Sequence, residues 1–259
     1  MESDRPFLIV SDVHLGAVPP ATERAFRAFL DHAAATASGL LINGDLFDLW
    51  IASRRFMLRQ HVRVVAKIAD VVDAGVPVYF VGGNHDAAEY GAEALQDDLG
   101  VTVLREPARL TLGGWNALVI HGDGVRDASD EYRKRHPILR SRAFRWLAQH
   151  TLPLDRIADW VDSTSATPRQ VARHESGAGQ GPTPAAPLIE AWARRALERT
   201  PEVDLVIAGH SHLPAVLETS PGRFYVNSGD WVCHMTYAAL PPMKAAPPEI
   251  RSWEAQQRR

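Results

Sequence analysis

Short, continuous apolar runs that alternate with helical patterns constrain the fold of this chain more than any other feature of its sequence. Four such runs, each bounded by glycine or polar residues, lie at residues 7–11, 40–44, 78–82 and 205–209. A strand reads as one unbroken apolar run when both of its faces are buried, as in a parallel sheet that is covered by helices. The runs therefore predict the buried strands of an α/β protein.

Helical spacing fills the gaps between the first three runs. Residues 23–35 carry apolar side chains at i, i+3 and i+4, and Thr22 is the expected N-terminal cap. Residues 59–74 form a second apolar stripe, which Gly75 and Pro77 are expected to end. Strands that alternate with helices imply crossover connections and a mostly parallel sheet.

Later segments predict antiparallel pairing as well. Two sets of closely spaced apolar segments read as meanders or hairpins, and they lie at residues 101–104, 109–112 and 115–121 and at residues 215–218, 224–227 and 231–237. Both parallel and antiparallel neighbours are then present. We therefore expect an α/β fold with two facing mixed β-sheets.

The chain is expected to form a single domain over residues 1–240 with a helical lid inserted at residues 124–180. Candidate helices between His121 and the apolar run at residues 205–209 lie at residues 139–149, 154–161 and 185–199. The Gly- and Pro-rich stretch 177–187 is expected to be a flexible loop, and residues 241–259 a poorly ordered tail.

The composition limits the kinds of site that the chain can build. A single cysteine, Cys233, excludes a disulfide framework and any cysteine-rich zinc module, so a metal site would need histidine and oxygen ligands. A formal net charge of −3 argues against a dedicated nucleic-acid binder. Neither a signal peptide nor a membrane-spanning run is apparent, so we expect a cytoplasmic protein.

Five of the predicted strands are followed directly by Asp, Asn or His, which are side chains that bind divalent metal ions. The carboxyl ends of strands meet at one edge of an α/β sheet, so these side chains are expected to converge. Their donors could hold two cations about 3.5–4 Å apart that share one carboxylate. Nitrogen and oxygen ligands without thiolate suit Mn²⁺, Fe or Zn²⁺. The candidate ligands are Asp12, His14, Asp45, Asn84, His121, His210 and His212.

The motifs around these residues occur in one order between residues 12 and 212. They read D-x-H, G-D-x-x-D, G-N-H-D, H and G-H-x-H, and the ordered set resembles the calcineurin-like metallophosphoesterase superfamily. A lone buried histidine is more often a core residue than a ligand, but five motifs in family order outweigh that alternative. The resemblance implies a four-layer sandwich, in which helices flank two mixed β-sheets, and the hydrolysis of a phosphoester bond.

The resemblance also implies roles for the candidate residues. His85 would lie near the leaving-group oxygen without binding metal, and Asp48 would fix the orientation of His85. Two divalent metal ions are implied, with Mn²⁺ expected first and Fe or Zn²⁺ as alternatives, and Asp45 would bridge them. The implied ligands are Asp12, His14, Asp45 and His212 for the first ion and Asp45, Asn84, His121 and His210 for the second.

Residues that flank the motifs are similar to the UDP-2,3-diacylglucosamine pyrophosphatase branch of the superfamily. The shared stretches are S-D-V-H-L-G, G-D-L-F-D-L-W, H-G-D and G-D-W-V. That branch carries a helical lid after its H-G-D motif and cleaves UDP-2,3-diacylglucosamine to lipid X and UMP in lipid A synthesis. One departure is His85, because many members of the branch have Arg at this position, and a related group that keeps His has a less certain substrate.

The expected insertion contains a basic stretch with apolar side chains between the charges. Residues 133–145 hold six basic residues and no acidic one. We expect Arg133, Arg140 and Arg142 to contact an anionic, acylated substrate, with peripheral contact to the inner face of the membrane. The alternative is a solvated helix whose apolar stripe packs on the body of the protein.

Three functions stay open at this point. The first is a metal-dependent pyrophosphatase of a glycolipid precursor, and the second is a soluble phosphodiesterase or phosphatase that acts on nucleotides. The third is a non-catalytic scaffold of the same fold, against which the full ligand set argues. The first two take a small-molecule phosphoester or glycolipid-precursor substrate, no nucleic-acid partner is expected, and the oligomeric state is left open.

Overall fold

Two β-sheets lie at the centre of the computed structural model, which describes residues 4–50, 52–53, 56–86, 92–125, 167–175 and 183–254. The strands of the described residues are β1 (Phe7–Val10), β2 (Gly39–Asn43), β3 (Ala52–Ser53), β4 (Phe56–Met57), β5 (Val78–Val81), β6 (Thr102–Leu104), β7 (Ala108–Leu112), β8 (Trp115–Val119), β9 (Leu205–Ala208), β10 (Ala215–Ser220), β11 (Arg223–Asn227), β12 (Thr236–Leu240) and β13 (Glu249–Ser252). The α-helices are α1 (Pro20–Thr36), α2 (Val62–Asp73), α3 (Ala92–Leu99), α4 (Thr167–Glu175) and α5 (Ala185–Arg199), and 3₁₀ turns lie at Arg59–His61 and Pro242–Lys244.

Both large sheets are mixed. The first has the order β13-β12-β1-β2-β5-β6, in which β1, β2, β5 and β6 are parallel while β12 and β13 pair antiparallel. The second has the order β10-β11-β9-β8-β7, with β9 parallel to both of its neighbours and the outer pairs antiparallel. The prediction of two mixed sheets is confirmed.

Alternate residues of each strand point to opposite faces, and this arranges the core in layers. In β1, Leu8 and Val10 pack with residues of α1 and α2, whereas Phe7 and Ile9 pack between the two sheets. Helix α5 covers the outer face of the second sheet, where Trp192 packs. The order of layers is therefore helix, sheet, sheet, helix, and both sheets are buried on the two faces that their apolar runs predict.

The first helix begins earlier than predicted. It starts at Pro20, so Thr22 lies inside its first turn and makes no cap. Proline is favoured at the first helical position because the N–H that it lacks would have no partner within the helix. The prediction that Thr22 caps this helix is wrong. Proline and threonine can both mark the start of a helix, and here the helix begins at the proline.

Two predicted strand pairings are wrong. Strand β6 does not join the β7–β8 hairpin but pairs parallel with β5 in the first sheet. Residues 231–234 form a turn, held by backbone N–H groups that donate to Asp230, and β12 begins only at Thr236. The apolar side chain of Trp231 resembles a strand residue in the sequence, but it is buried against α1 instead.

The prediction of a poorly ordered tail over residues 241–259 is wrong for the described part of that segment. Strand β13 pairs with β12, so the first sheet extends past residue 240. Trp253 is 5% exposed and packs edge-on against Phe29 of α1. The prediction rested on the Pro/Ala-rich composition. The segment is ordered because its strand pairs with β12 and its tryptophan is buried.

Only the C-terminal part of the expected insertion is described beyond residue 125. The predicted helices at residues 139–149 and 154–161 lie outside the described residues. Helix α5 confirms the prediction for residues 185–199 and takes the last residues of the expected loop 177–187. Within the described ranges, no helix has both the length and the apolar character needed to cross a membrane.

Candidate metal centre

Polar side chains follow the ends of five strands, and six of the seven candidate ligands gather at one place. Asp12 and His14 follow β1, Asp45 follows β2, Asn84 follows β5, His121 follows β8, and His210 and His212 follow β9. Strands β1, β2 and β5 belong to the first sheet, whereas β8 and β9 belong to the second. The site is therefore assembled from both sheets.

The candidate ligands other than Asn84 form two groups, and within each group the donor atoms all lie within 4.8 Å of one another. One group is Asp12, His14 and His212, and the other is Asp45, His121 and His210. The side chains of His14, Asp48 and His85 lie equally close together. Oδ2 of Asp45 joins the groups, because it lies 3.3 Å from His121 Nε2 and 3.8 Å from His14 Nε2. An oxygen shared between two sets of donors is what a pair of bridged cations requires.

Three histidines are each held through Nδ1 and turn Nε2 toward a carboxylate. The Nδ1 bonds run from His14 to Asp48 Oδ1 at 3.0 Å, from His121 to the carbonyl of Asn43 at 2.9 Å and from His212 to Asp230 Oδ2 at 3.0 Å. The Nε2 atoms of His14 and His121 are buried and have no hydrogen-bond partner among the described residues. Histidines that bind metals commonly donate the other ring N–H to an oxygen. The residues therefore fit a metal ion.

The backbone of the candidate ligands is strained. Asp12, His14, Asp45, His210 and His212 all have φ between 52° and 63°, in the left-handed region. For residues other than glycine this conformation costs about 1–3 kcal/mol each, and it is concentrated at functional sites. Neighbouring strand ends hold the loops in this shape, since the N–H of Asp12 donates to the Gly44 carbonyl at 3.0 Å.

Two glycines let the loops approach one another. A Cβ on Gly44 would lie 2.3 Å from His121 Nδ1, and a Cβ on Gly83 would lie 2.1 Å from Asp45 Oδ1. Gly44 also has φ of 82°, which side chains rarely adopt. The glycines of the G-D and G-N motifs therefore shape the site without taking part in chemistry.

Burial and neighbouring opposite charges shift the pKa values of the candidate ligands in opposite directions. Burial alone would raise the pKa of Asp45, but the imidazoles around it, His121 first, hold that pKa well below its ordinary value. Burial alone would lower the pKa of His121, yet Asp45 raises it well above its ordinary value. Burial likewise lowers the pKa of His212, but neighbouring carboxylates outweigh burial and raise it to about 9. Without a cation, His121 and His212 therefore keep protons beside carboxylates, and metal binding would release these protons.

His85 and Asp48 contact each other mainly through the backbone of Asp48. His85 is half-buried, and its Nδ1 donates to the backbone carbonyl of Asp48 at 2.8 Å, whereas the Asp48 carboxylate is 3.6 Å away. That carboxylate instead accepts from Nδ1 of His14 at 3.0 Å. Asp48 thus orients His85 through its main chain and His14 through its side chain.

Asp86 is a buried carboxylate that the sequence did not single out, although it stands in the G-N-H-D motif. It accepts backbone N–H groups from two loops, at distances of 2.6–3.2 Å from Asp45, Leu46, Phe47 and Gly83. Burial, followed by the charge of Asp45, raises the pKa of Asp86 to about 6. Its place is to hold the loops after β2 and β5 together.

The sequence also gives little or no indication of two other residues that support the centre, Asp230 and Thr167. Asp230 bonds Nδ1 of His212 with one oxygen and Nδ1 of His234 with the other, each at 3.0 Å. The only sequence signal for Asp230 is its position in the G-D-W-V stretch. Thr167 of α4 reaches Asp48 at 2.7 Å, and nothing in the sequence pointed to it.

The remaining candidates are less well defined. Asn84 lies in the loop after β5, between Gly83 and His85, and is exposed, unlike the other six candidate ligands. Its assignment as a ligand stays a prediction. Arg133, Arg140 and Arg142, the expected substrate contacts, lie outside the described residues.

Sequence comparison matches the calcineurin-like phosphoesterase family over residues 5–214. This range contains all five motifs and both groups of donor atoms. It covers most of the chain, so the match extends well beyond a single motif.

Curated relatives share about a third of their residues with the chain over most of its length. A UDP-2,3-diacylglucosamine hydrolase of Aeromonas hydrophila is 31% identical over 228 residues, which cover 86% of this chain and 90% of that protein. The protein of that name in Pseudomonas paraeruginosa is 31% identical over 232 residues, with the same coverage. The one in Bordetella pertussis is 32% identical over 213 residues, covering 81% of this chain and 78% of that protein.

Proposed function

The chain belongs to the calcineurin-like phosphoesterase family, and on that premise we propose that it hydrolyses the pyrophosphate bond of UDP-2,3-diacylglucosamine, or of a similar nucleotide-linked glycolipid precursor, to UMP and a lipid phosphate. The observation that carries the two-metal chemistry is the position of Asp45 Oδ2 between the Nε2 atoms of His14 and His121. The substrate class is supported by the names and the coverage of the curated relatives.

Two divalent metal ions would be held by the seven candidate ligands. The proposed sets are Asp12, His14, Asp45 and His212 for the first ion and Asp45, Asn84, His121 and His210 for the second. Bound there, the cations would neutralise phosphate oxygens and lower the pKa of a water molecule. We propose Mn²⁺, with Fe or Zn²⁺ as alternatives, because nitrogen and oxygen donors without thiolate suit these ions.

His85 is proposed as the proton donor to the leaving group. Its Nδ1 is bonded to the Asp48 carbonyl, so Nε2 is the atom left to face a substrate. Burial alone would lower the pKa of His85, but in the metal-free centre Asp45 and the bond to Asp48 raise it. A protonated imidazole that is held in one orientation can donate to the leaving-group oxygen near neutral pH.

The basic stretch at residues 133–145 is proposed to contact the substrate beside this centre. Arg133, Arg140 and Arg142 would bind the anionic head group, and the apolar residues between them would bind acyl chains at the inner face of the membrane. This part of the proposal depends on the sequence alone, because the stretch lies outside the described residues.

Hydrolysis by metal-free protein reloaded with Mn²⁺ tests the proposal. The substrates are UDP-2,3-diacylglucosamine, UDP-N-acetylglucosamine as a head group without the long acyl chains, cyclic AMP and bis-p-nitrophenyl phosphate. We expect UMP and a glycolipid phosphate by mass spectrometry, with the acylated substrate cleaved at least about tenfold faster than the unacylated one, since burying two methylene groups is worth that much. Equal rates, or faster cleavage of the nucleotide diesters, would assign the chain to the soluble phosphodiesterases instead.

A further inference from the structure

Helix α4 reaches the candidate metal centre through its first side chain. Thr167 is 1% exposed, and its hydroxyl donates to Asp48 Oδ1 at 2.7 Å and lies 3.3 Å from His14 Nδ1. It belongs to the expected insertion at residues 124–180 and is separated from Asp48 by 119 positions in the chain. The contact therefore joins the insertion to the loop that follows β2.

One oxygen of Asp48 receives both contacts. Oδ1 accepts the Thr167 hydroxyl and also bonds with His14 Nδ1 at 3.0 Å, and the Asp48 side chain is 3% exposed. The direction of the Nδ1 bond decides which nitrogen of His14 remains for a metal ion, namely Nε2, which faces Asp45. A second donor on the same oxygen fixes where that oxygen lies.

We propose that Thr167 is a positioning residue for the first metal ion: through Asp48 it fixes the ring of His14 and so couples the affinity for that ion to the docking of α4. The inference rests on the proposed function only in taking Asp12, His14, Asp45 and His212 as the ligands of that ion. Loss of the hydrogen-bond partner of a metal-binding histidine typically lowers metal affinity by about 10–100-fold. Removal of the Thr167 hydroxyl leaves the bond between Asp48 and His14 in place, so we expect an effect at the lower end of that range.

A purely structural role for the hydroxyl has different consequences. If Thr167 only anchored α4, its removal would lower the unfolding temperature of the metal-free and the metal-loaded protein by the same amount. The affinity of the folded protein for metal would not change. A positioning role instead changes the affinity for one of two ions.

Two substitutions at this position separate the hydroxyl from the shape of the side chain. Thr167→Val keeps the branched shape without the hydroxyl, and Thr167→Ser keeps the hydroxyl. Mn²⁺ is titrated into the full-length metal-free protein, and free Mn²⁺ is followed by its electron paramagnetic resonance signal. We expect Thr167→Val to bind one ion normally and the other about tenfold more weakly, and Thr167→Ser to bind both as the wild type does.

Thr219→Val is the matched control, because it removes a threonine hydroxyl that donates to the Arg223 carbonyl in the β10–β11 hairpin. It should bind both ions normally. Wild-type affinity for both ions in Thr167→Val, or equal weakening in Thr167→Val and Thr167→Ser, would overturn the proposal. If Thr167→Val does not fold, Thr167→Ala deletes the same hydroxyl and must show the same loss.

The readout keeps this inference separate from the proposed function. A wild-type protein that binds two Mn²⁺ ions but does not cleave UDP-2,3-diacylglucosamine would contradict the proposed substrate and leave the role of Thr167 standing. A wild-type protein that cleaves this substrate would support the proposed substrate. If its Thr167→Val variant binds both ions normally, the proposed role of Thr167 is contradicted.

Discussion

Asp45 is the residue at which the two groups of candidate ligands meet. Oδ1 accepts the backbone N–H of His85 at 3.0 Å, and Oδ2 faces the imidazoles of His14 and His121. Both oxygens are therefore in use, and the residue is 1% exposed. A neutral amide at this position would replace one acceptor by a donor and weaken both sets of ligands at once.

We expect Asp45→Asn and His121→Ala each to lower the Mn²⁺-dependent hydrolysis of bis-p-nitrophenyl phosphate by roughly 10³-fold, because losing a cation removes several kcal/mol of charge stabilisation. Initial rates at saturating Mn²⁺ provide the measurement. Arg194→Ala, which breaks an exposed ion pair with Glu190 on α5, is the control and should keep full activity. Full activity in either centre variant would contradict the two-metal assignment.

The burial of His61, which lies outside the candidate metal centre, predicts that the stability of the fold depends on pH. Its Nε2 donates to the Leu49 carbonyl at 2.9 Å, Nδ1 is buried without a partner among the described residues, and burial lowers the pKa to about 4. The unfolded chain takes up this proton near pH 6.5 and the folded chain only near pH 4, so the stabilisation is present above pH 6.5 and is lost as the pH falls toward 4.

Urea unfolding of the metal-free wild type and of His61→Gln at several pH values checks this expectation. The glutamine amide can still donate to Leu49 but does not titrate, so the variant should lose less stability than the wild type between pH 6.5 and 4. The difference should reach about 2–3 kcal/mol. Parallel pH profiles for the two proteins would show that His61 takes up its proton normally in the fold.

The loops that follow β2 and β5 depend on one another through Asp86. Four backbone N–H groups donate to its buried carboxylate, three of them from the β2 loop. These loops carry Asp45 and His85, so a change at Asp86 acts on the whole end of the first sheet. The two loops form one structural unit, because three N–H groups of the loop after β2 depend on an acceptor in the loop after β5.

We expect Asp86→Asn to lower the free energy of unfolding of the metal-free protein by at least about 3 kcal/mol, because an amide accepts at one oxygen and leaves buried N–H groups unsatisfied. Guanidinium unfolding measures the change. Asp70→Asn on the exposed face of α2, where Asp70 pairs with Lys67, is the matched control and should change stability by less than about 1 kcal/mol. A loss of similar size in both variants would mean that the loops rearrange without Asp86.

Sequence patterns predict those elements whose burial is uniform. Strand β9 is recognisable because all of its residues are buried and apolar, and the ligands that follow strands are recognisable because the motif lies next to the strand. Trp231 shows where this fails, since its burial against α1 comes from a turn that only the contacts of Asp230 reveal. Thr167 could not be found at all, because its partner is 119 residues away and threonine is common at helix ends.

At the scale of the whole molecule, the candidate centre connects the two sheets. Asp12, His14 and Asp45 come from the first sheet, and His121, His210 and His212 come from the second. Away from these ligands, the sheets meet through an apolar cluster that includes Ile9 and Ile207 and through polar contacts such as the bond from Asn43 Nδ2 to the Ile120 carbonyl at 2.9 Å. Bound cations would therefore join the two halves of the core.

Removal of metal is accordingly expected to destabilise the entire fold and not only the loops of the site. At a free Mn²⁺ concentration of about 1,000 times the Kd, one ion adds about 4 kcal/mol, which for a chain of this size raises the unfolding temperature by about 8–16 °C. Calorimetry of the protein with chelator and with Mn²⁺ should show a single transition that moves as a whole. Asp45→Asn should lose most of this shift, because both ligand sets use that carboxylate. A Mn²⁺-independent unfolding temperature in the wild type, or an equal shift in Asp45→Asn, would mean that the ions do not bind between the sheets.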